Sequence, residues 1–528
     1  MTAAMRVIPA ALLLVALAAA AAGDRAVSPR RVAAPVSAAS LVPADLPRFA
    51  LFGWVSPPEG FDTPERYAEL AEAGFNVVMP AWQDSGGEAA NRRRLDLARP
   101  LGLRCLLVDV ELDLYTATDP ATARWADTVV ARYTGDPALL GWYLGDEPEA
   151  ARMPRLREWF DALRERSPSL APYNNLFGRM AFASREEWES YLKHYVDTVR
   201  PALLCADQYD FLEGGDRHQL IECAATLTAL ARERGVPCWG IVQLVQHRGY
   251  RAVTPGLLRW QVGHWLAYGA RGIGYFTYWT PAPDAAWDWQ PAMISHAGVR
   301  APLYDDVRTL NASAAAVGNA LAGMTWLACE QAGSLSPGGT PFAPDGAIAA
   351  VEGRATLGAF VDSLARAHVL VVNADSATAR TVTLALAGTG RRAWTLGADG
   401  AWSEAAVTAA GRCALALAPG AFTLLRLSDA ADSLVAGRAA PALDAGPNPA
   451  RGRVTFSLAR MTRGARLELL DLSGRRVWAR DFAEGGSAAV SWSGERDGGG
   501  RVPPGIYLAR LEDAHGVNVR RVSWLGGR

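Results

Sequence analysis

The chain reads as a multidomain protein: a parallel (β/α)8 TIM barrel, then an antiparallel β-sandwich, then a small C-terminal β-module. Three observations predict this. The 528 residues exceed one ordinary domain, and half of them are apolar, enough for several cores. From Arg48 to about Met324, eight short apolar runs alternate with amphipathic helical segments. After Met324 the pattern changes to short alternating strands bounded by turn residues.

The N-terminus reads as an export signal. Arg6 supplies a positive charge, residues 7–22 form an Ala- and Leu-rich apolar run, and Ala20, Ala21 and Ala22 offer small-residue cleavage positions. Residues 1–22 are therefore assigned to a signal peptide and 23–45, rich in Ala, Ser, Pro and Arg, to a linker. The expected location is secreted or at the cell surface. The run is too short and Ala-rich for a membrane span, and no second apolar stretch approaches that length.

The barrel is assigned to 46–324. Strands are expected at 48–55, 76–81, 104–110, 139–147, 171–177, 203–211, 238–246 and 272–280. Their apolar runs suit strands covered on both faces. Thr63-Pro64 and Thr254-Pro255 read as an N-cap followed by Pro in the first helical turn. Gly74, Gly102 and Gly235 suit left-handed C-caps, and Leu156, Trp159, Phe160 and Leu163 share one helical face. An open doubly wound sheet would carry a Gly-rich phosphate loop after its first strand; GWVSPPEGFD has none.

Chemistry in such a barrel collects at the C-terminal strand ends. Trp54 ends the first strand; Trp82, Gln83 and Asp84 follow the second; Asp109 and Glu111 end the third. Asp146 and Glu147 end the fourth, Asn174 and Asn175 the fifth, and Asp207, Tyr209 and Asp210 the sixth. Gln243, Gln246 and His247 end the seventh, and Tyr278 and Trp279 the eighth, with Trp287 and Trp289 beyond. Indole faces pack against sugar C–H faces while carboxylates and amides take hydroxyls, so this set describes a carbohydrate site. The expected catalytic residues are Glu147 and Asp146. The expected substrate-binding residues are Trp54, Trp82, Asp109, Asn174, Asp207, Tyr209, Asp210, Gln243, Tyr278 and Trp279. Each has a structural alternative: Trp54, Trp142 and Trp239 as barrel filling, Asp109 and Glu111 bound to loop amides, Asn174 and Asn175 as helix caps, His247 as a loop residue.

The segment LLGWYLGDEPEA, 139–150, carries the strongest signal. Burial and a neighbouring negative charge both raise a carboxyl pKa, which suits a general acid. Adjacent strand residues face opposite sides, so Asp146 and Glu147 meet one ligand only if the strand bends; Gly145 and Pro148 permit that. The alternative is a helix N-terminus with acids on its dipole.

Other chemistries have little support. A formal charge of −1 gives no bulk attraction for nucleic acid. The six Cys have no CxxC spacing and no His cluster, so free buried thiols are expected and a zinc site is not. No nucleotide, flavin or metal signature implies a cofactor.

With these residues in hand, 48–324 resembles the secreted (β/α)8 glycoside hydrolases. Many carry an acid/base Glu after Asn at the end of strand four. Asp146-Glu147-Pro148 stands in that place, so the resemblance implies Glu147 as general acid. Retaining members carry a nucleophilic Glu at the end of strand seven, where this chain has Gln243 and Gln246. The pair Asp146-Glu147 also resembles the Asp-Glu of substrate-assisted β-N-acetylhexosaminidases, which implies Asp146 orienting a 2-acetamido group and Tyr209 holding its carbonyl. Otherwise Asp207 or Asp210 supplies the second carboxylate. The alternative class is a non-catalytic carbohydrate-binding or cell-envelope protein on the same barrel.

Residues 325–428 are assigned to an antiparallel β-sandwich and 429–445 to an Ala-rich linker. Residues 446–528 resemble the Ig-like modules of exported bacterial proteins, including type IX secretion sorting and flagellar hook-cap type domains. The matching features are Pro447-Asn448-Pro449, Asp471 to Gly474 with Arg475, Trp492 with Gly494, and Gly505-Ile506-Tyr507. The resemblance implies a partner in export or surface-attachment machinery.

Overall fold

The computed structural model describes residues 42–43, 45–81, 84, 86–110, 122–364, 366–388, 390–428, 442–446, 450–461, 463–471, 475–513 and 516–527. The expected signal at 1–22, linker residues 23–41 and 429–441, Trp82, Gln83, Glu111, the motif at 447–449 and residues 472–474 lie outside them.

Each of the eight expected barrel runs contains a strand. They are β1 (Ala50–Trp54), β2 (Val77–Val78), β3 (Arg104–Leu107), β4 (Leu139–Asp146), β5 (Ala171–Asn175), β6 (Leu204–Gln208), β7 (Cys238–Gln243) and β8 (Gly272–Phe276). Their order is β5-β4-β3-β2-β1-β8-β7-β6. The sheet closes where the Leu176 amide donates to the Cys205 carbonyl at 2.9 Å, beside a parallel bridge between Leu176 and Ala206. All eight are shorter than expected, chiefly because their last residues leave the ladder to form the rim.

The helices between them are α1 (Pro64–Glu72), α2 (Glu88–Ala98), α3 (Thr122–Tyr133), α4 (Met153–Arg166), α5 (Arg185–Val199), α6 (Leu220–Arg234), α7 (Pro255–Ala267) and α8 (Leu303–Leu321). Thr63 accepts from the Arg66 amide at 3.4 Å and Thr254 from the Leu257 amide at 3.2 Å, so both expected caps form. On α4, Leu156, Trp159, Phe160 and Leu163 are all buried.

Period-two alternation decides what the barrel holds. Phe52, Tyr173 and Trp239 meet inside it, with Phe52 and Tyr173 5.5 and 5.8 Å from Trp239. Gly274 on β8 makes room for them: a Cβ there would lie 2.3 Å from the Phe52 ring. One layer higher, Trp54 packs edge-on against Tyr143 at 5.3 Å.

From Thr325 to Ser428, nine strands among the described residues form a six-stranded and a three-stranded antiparallel sheet around their own core. This sandwich braces α7. The Trp260 indole donates to the Ala374 carbonyl at 3.2 Å, Arg259 Nε to the Pro419 carbonyl at 2.9 Å, and His264 Nε2 meets Thr356 Oγ1 at 2.9 Å. That contact explains why α7 is buried nearly all round.

From Ala442 to Trp524, a three-stranded and a four-stranded antiparallel sheet enclose a separate core. Trp492 and Trp524 meet there at 4.9 Å, and buried Tyr507 donates to the Pro503 carbonyl at 2.8 Å. All six Cys are buried and free. Among the described residues, no helix is long and apolar enough to cross a membrane.

Candidate active site

The end of β4 bends as the Asp146-Glu147 pair requires. Gly145 has φ +111° and Glu147 φ +45°, and the pairing of β4 with β5 breaks register between Tyr143 and Asp146. A left-handed φ is costly for Glu; here the Glu147 amide is held by the Asn175 carbonyl at 2.9 Å. The bend brings both carboxyl groups into one cavity of about 380 Å³ at the C-terminal end of the barrel.

The neighbouring strands supply the rest of its acidic side by simple alternation. Tyr173 points inward on β5, so Asn175 does too, while Asn174 turns outward to Tyr195 on α5. Asp207 and Tyr209 follow Cys205 inward at the end of β6. The Asn175 Nδ2 donates to Asp146 Oδ1 at 3.1 Å and to Asp207 Oδ1 at 2.9 Å, bridging the two carboxyl groups. Asp207 is also hydrogen-bonded to the Tyr209 hydroxyl. Among the described residues the buried Asn175 Oδ1 has no hydrogen-bond partner, an acceptor left for a donor in the cavity.

All three acids are held above the ordinary carboxylate range. Burial, then the charge of Asp207, then that of Asp146, pushes Glu147 up to about 9. Burial and the Asp207 charge push Asp146 up to about 7, against the opposing hydrogen bond from Asn175. Burial raises Asp207 against hydrogen bonds from Asn175, its own backbone and Tyr209.

Another part of the site is aromatic and cationic. His247 stacks on Tyr250 and Trp289, each at 4.9 Å, and Trp287 lies parallel to Trp289 at 5.0 Å. Burial lowers the His247 pKa, which favours its neutral form. Arg217, Arg248, Tyr250 and Trp287 line the cavity there, with Trp54, Ile241 and Phe276 toward the barrel interior.

Of the expected residues, Trp54, Asp146, Glu147, Asp207 and Tyr209 therefore converge. The other described ones make their contacts within the fold. Asp109 is fully buried, paired with Arg132 at 3.3 Å and accepting from the Tyr133 hydroxyl at 3.1 Å. Asp84 is ion-paired with buried Arg94. Asn174 donates to the Asn175 carbonyl at 3.0 Å and accepts from Tyr195. Asp210 accepts from the Gln219 and Leu220 amides, both at 2.7 Å, at the start of α6. Gln243 ties the rim loops together, accepting from the Phe211 amide and donating to the Phe211 and Arg251 carbonyls. Tyr278 is buried behind Gly53, and Trp279 is buried against Phe61 and Arg66. The Gln246 side chain donates to exposed Glu213 at 3.3 Å.

Asn175, not Asn174, enters the cavity because it shares parity with inward-facing Tyr173, a pattern visible in the sequence. His247 lies in a loop as expected, yet its ring forms part of the wall. Arg217, Arg248 and Tyr250 sit on loops with no periodic pattern, so nothing local marked them.

No family model and no curated protein matches the chain. Solved structures that resemble it include a glucosidase from Croceicoccus marinus, 14% identical with a TM-score of 0.39, covering 72% of this chain and 95% of that one. A β-galactosidase from Bacillus circulans sp. alkalophilus is 10% identical with a TM-score of 0.47, covering 73% and 100%. A β-galactosidase from the psychrophilic Marinomonas ef1 is 13% identical with a TM-score of 0.38, covering 52% and 62%.

Proposed function

We propose that the protein is a glycoside hydrolase of oligo- or polysaccharides with Glu147 as its general acid. One observation carries this reading: a bent strand end places Glu147, whose pKa is raised by burial and by its carboxylate neighbours, in one cavity with two further carboxyl groups. Glu147 donates its proton to the glycosidic oxygen as the bond to the anomeric carbon breaks. Asp146 and Asp207, bridged by Asn175, are too close to ionise independently; the pair keeps one negative charge facing the oxocarbenium-like centre. Water completes the reaction and returns a proton to Glu147. Asp207 replaces the carboxylate that Gln243 and Gln246 do not supply.

A second reading is favoured by the presence of Asp146 and Tyr209 in the same cavity. There the substrate's own 2-acetamido oxygen attacks, Asp146 orients it and Tyr209 holds it. In both readings the N-terminal segment directs export, and residues 446–528 engage export or attachment machinery.

A panel of aryl glycosides, N-acetylhexosaminides included, tests the assignment. Glu147→Gln is expected to lower kcat by about 10²–10⁴-fold, and less for leaving groups that need no proton. Undiminished activity in that variant overturns the acid role. Turnover of a substrate lacking the 2-acetamido group, abolished by Asp207→Asn, removes the substrate-assisted version.

A further inference from the structure

The carbohydrate reading leaves two cavity residues without a task. Arg217 and Arg248 line it from the loops after β6 and β7, and among the described residues neither is ion-paired. Arg217 Nη1 donates to the Tyr209 carbonyl at 2.8 Å and to the Tyr250 hydroxyl at 3.1 Å, and its guanidinium lies 5.2 Å over the Tyr250 ring. Those bonds orient the group and use only one of its nitrogens.

Arg248 is held more unusually. It and Gly249 have φ +42° and +78°, in a tight turn closed by the Tyr250 amide on the His247 carbonyl at 2.7 Å. Such a turn accepts Asn or Gly at its first central position with little strain; Arg there is strained. The Arg248 amide donates to the Trp287 carbonyl at 2.8 Å, and its guanidinium lies 5.2 Å over the Trp287 ring.

These cations are not ion-paired with the acids of the same cavity, among the described residues. The charges acting on Asp146 and Glu147 are those of other carboxyl groups. The Arg217 charge acts on buried Asp210 without forming an ion pair with it; among the described residues no carboxylate pairs with either guanidinium, which leaves both for something that enters from outside. Planar, weakly hydrated guanidinium suits paired bonds to an oxyanion.

We infer that the saccharide bound here carries an anionic substituent, a uronate carboxylate or a sulfate ester, which Arg217 and Arg248 hold beside Glu147. This rests on the carbohydrate reading but not on turnover. Binding of the full-length protein to glucuronic acid, galacturonic acid, glucose 6-sulfate and galactose 6-sulfate, each against its neutral parent sugar, tests it by calorimetry. At least one anionic sugar is expected to bind about tenfold tighter than its parent. The carboxylate and sulfate arms identify the source. Arg217→Gln and Arg248→Gln are each expected to lower that ratio, and Arg248→Lys to keep part of it, which separates lost charge from lost fold. Equal binding of anionic and neutral sugars, or a ratio that survives both Gln substitutions, overturns the inference. A preserved ratio without hydrolysis of any glycoside overturns the hydrolase reading alone.

Discussion

Asp207 and Asp210 leave the end of the same strand for different partners. Asp210 accepts from two backbone amides at the start of α6 and from Gln208 Nε2 at 2.7 Å. Asp207 has the amide of Asn175 and the phenol of Tyr209, and the cavity in front of it. Burial raises both pKa values. A raised pKa therefore marks burial, not function. What separates the two is whether the remaining acceptor capacity is spent on the fold. Asp109 repeats the lesson on the other side of the rim, where Arg132 and Tyr133 use its carboxyl group.

The widest test of that contrast is Asp207→Asn against Asp210→Asn. The first is expected to lower kcat by about 10²–10⁴-fold with little loss of Tm. The second, which can set an amide donor against Gln208 Nε2 where a carboxylate oxygen accepts, is expected to cost about 1–2 kcal/mol of stability with kcat nearly kept. Kinetics and thermal melts on both variants decide; reversed outcomes would exchange their roles.

Asp109→Asn should destabilise by about 1–3 kcal/mol, because it leaves Arg132 without its buried partner. Denaturant titration reads this, and a purely kinetic defect would place Asp109 back among the substrate contacts.

Glu147→Gln should stabilise the protein, by on the order of 1–2 kcal/mol at neutral pH. Its folded pKa lies above the ordinary 4.5, so the folded state holds an extra proton through the interval up to about 9. Wild-type stability contributed by this group is present below that interval and is lost as pH rises through it. The Tm advantage of the Gln variant should widen from pH 5 to pH 8, and a constant gap would refute the raised pKa.

The smallest effect is expected at the aromatic wall. Trp287→Ala should raise KM about three- to tenfold with kcat nearly unchanged, since it removes a stacking face and no proton carrier. A fall in kcat alone would assign Trp287 to positioning instead.

Much of the molecule was legible in residue order. Eight apolar runs with Pro and Gly punctuation announced the barrel, because strands buried on both faces and capped helices have local requirements. The parity of Tyr173 with Asn175 and of Asp207 with Tyr209 was equally available, since alternation along a strand is a property of the backbone. Asp109, Asp210, Gln243, Tyr278 and Trp279 look as chemical as Asp146 in sequence, yet the fold uses them elsewhere. Their partners, Arg132, the α6 amides, the rim carbonyls, Gly53 and Phe61, come from other elements.

By itself the sequence determined the strand count, the helix ends and the Asp146-Glu147 pair, all of which depend on neighbours along the chain. Tertiary structure alone decided that Gly145 and Glu147 bend the strand, that Asn175 joins Asp146 to Asp207, and that Arg217 and Arg248 line the same cavity. The physical reason is distance along the chain: hydrogen bonds, burial and charge act through space, and no periodicity records which loops will meet.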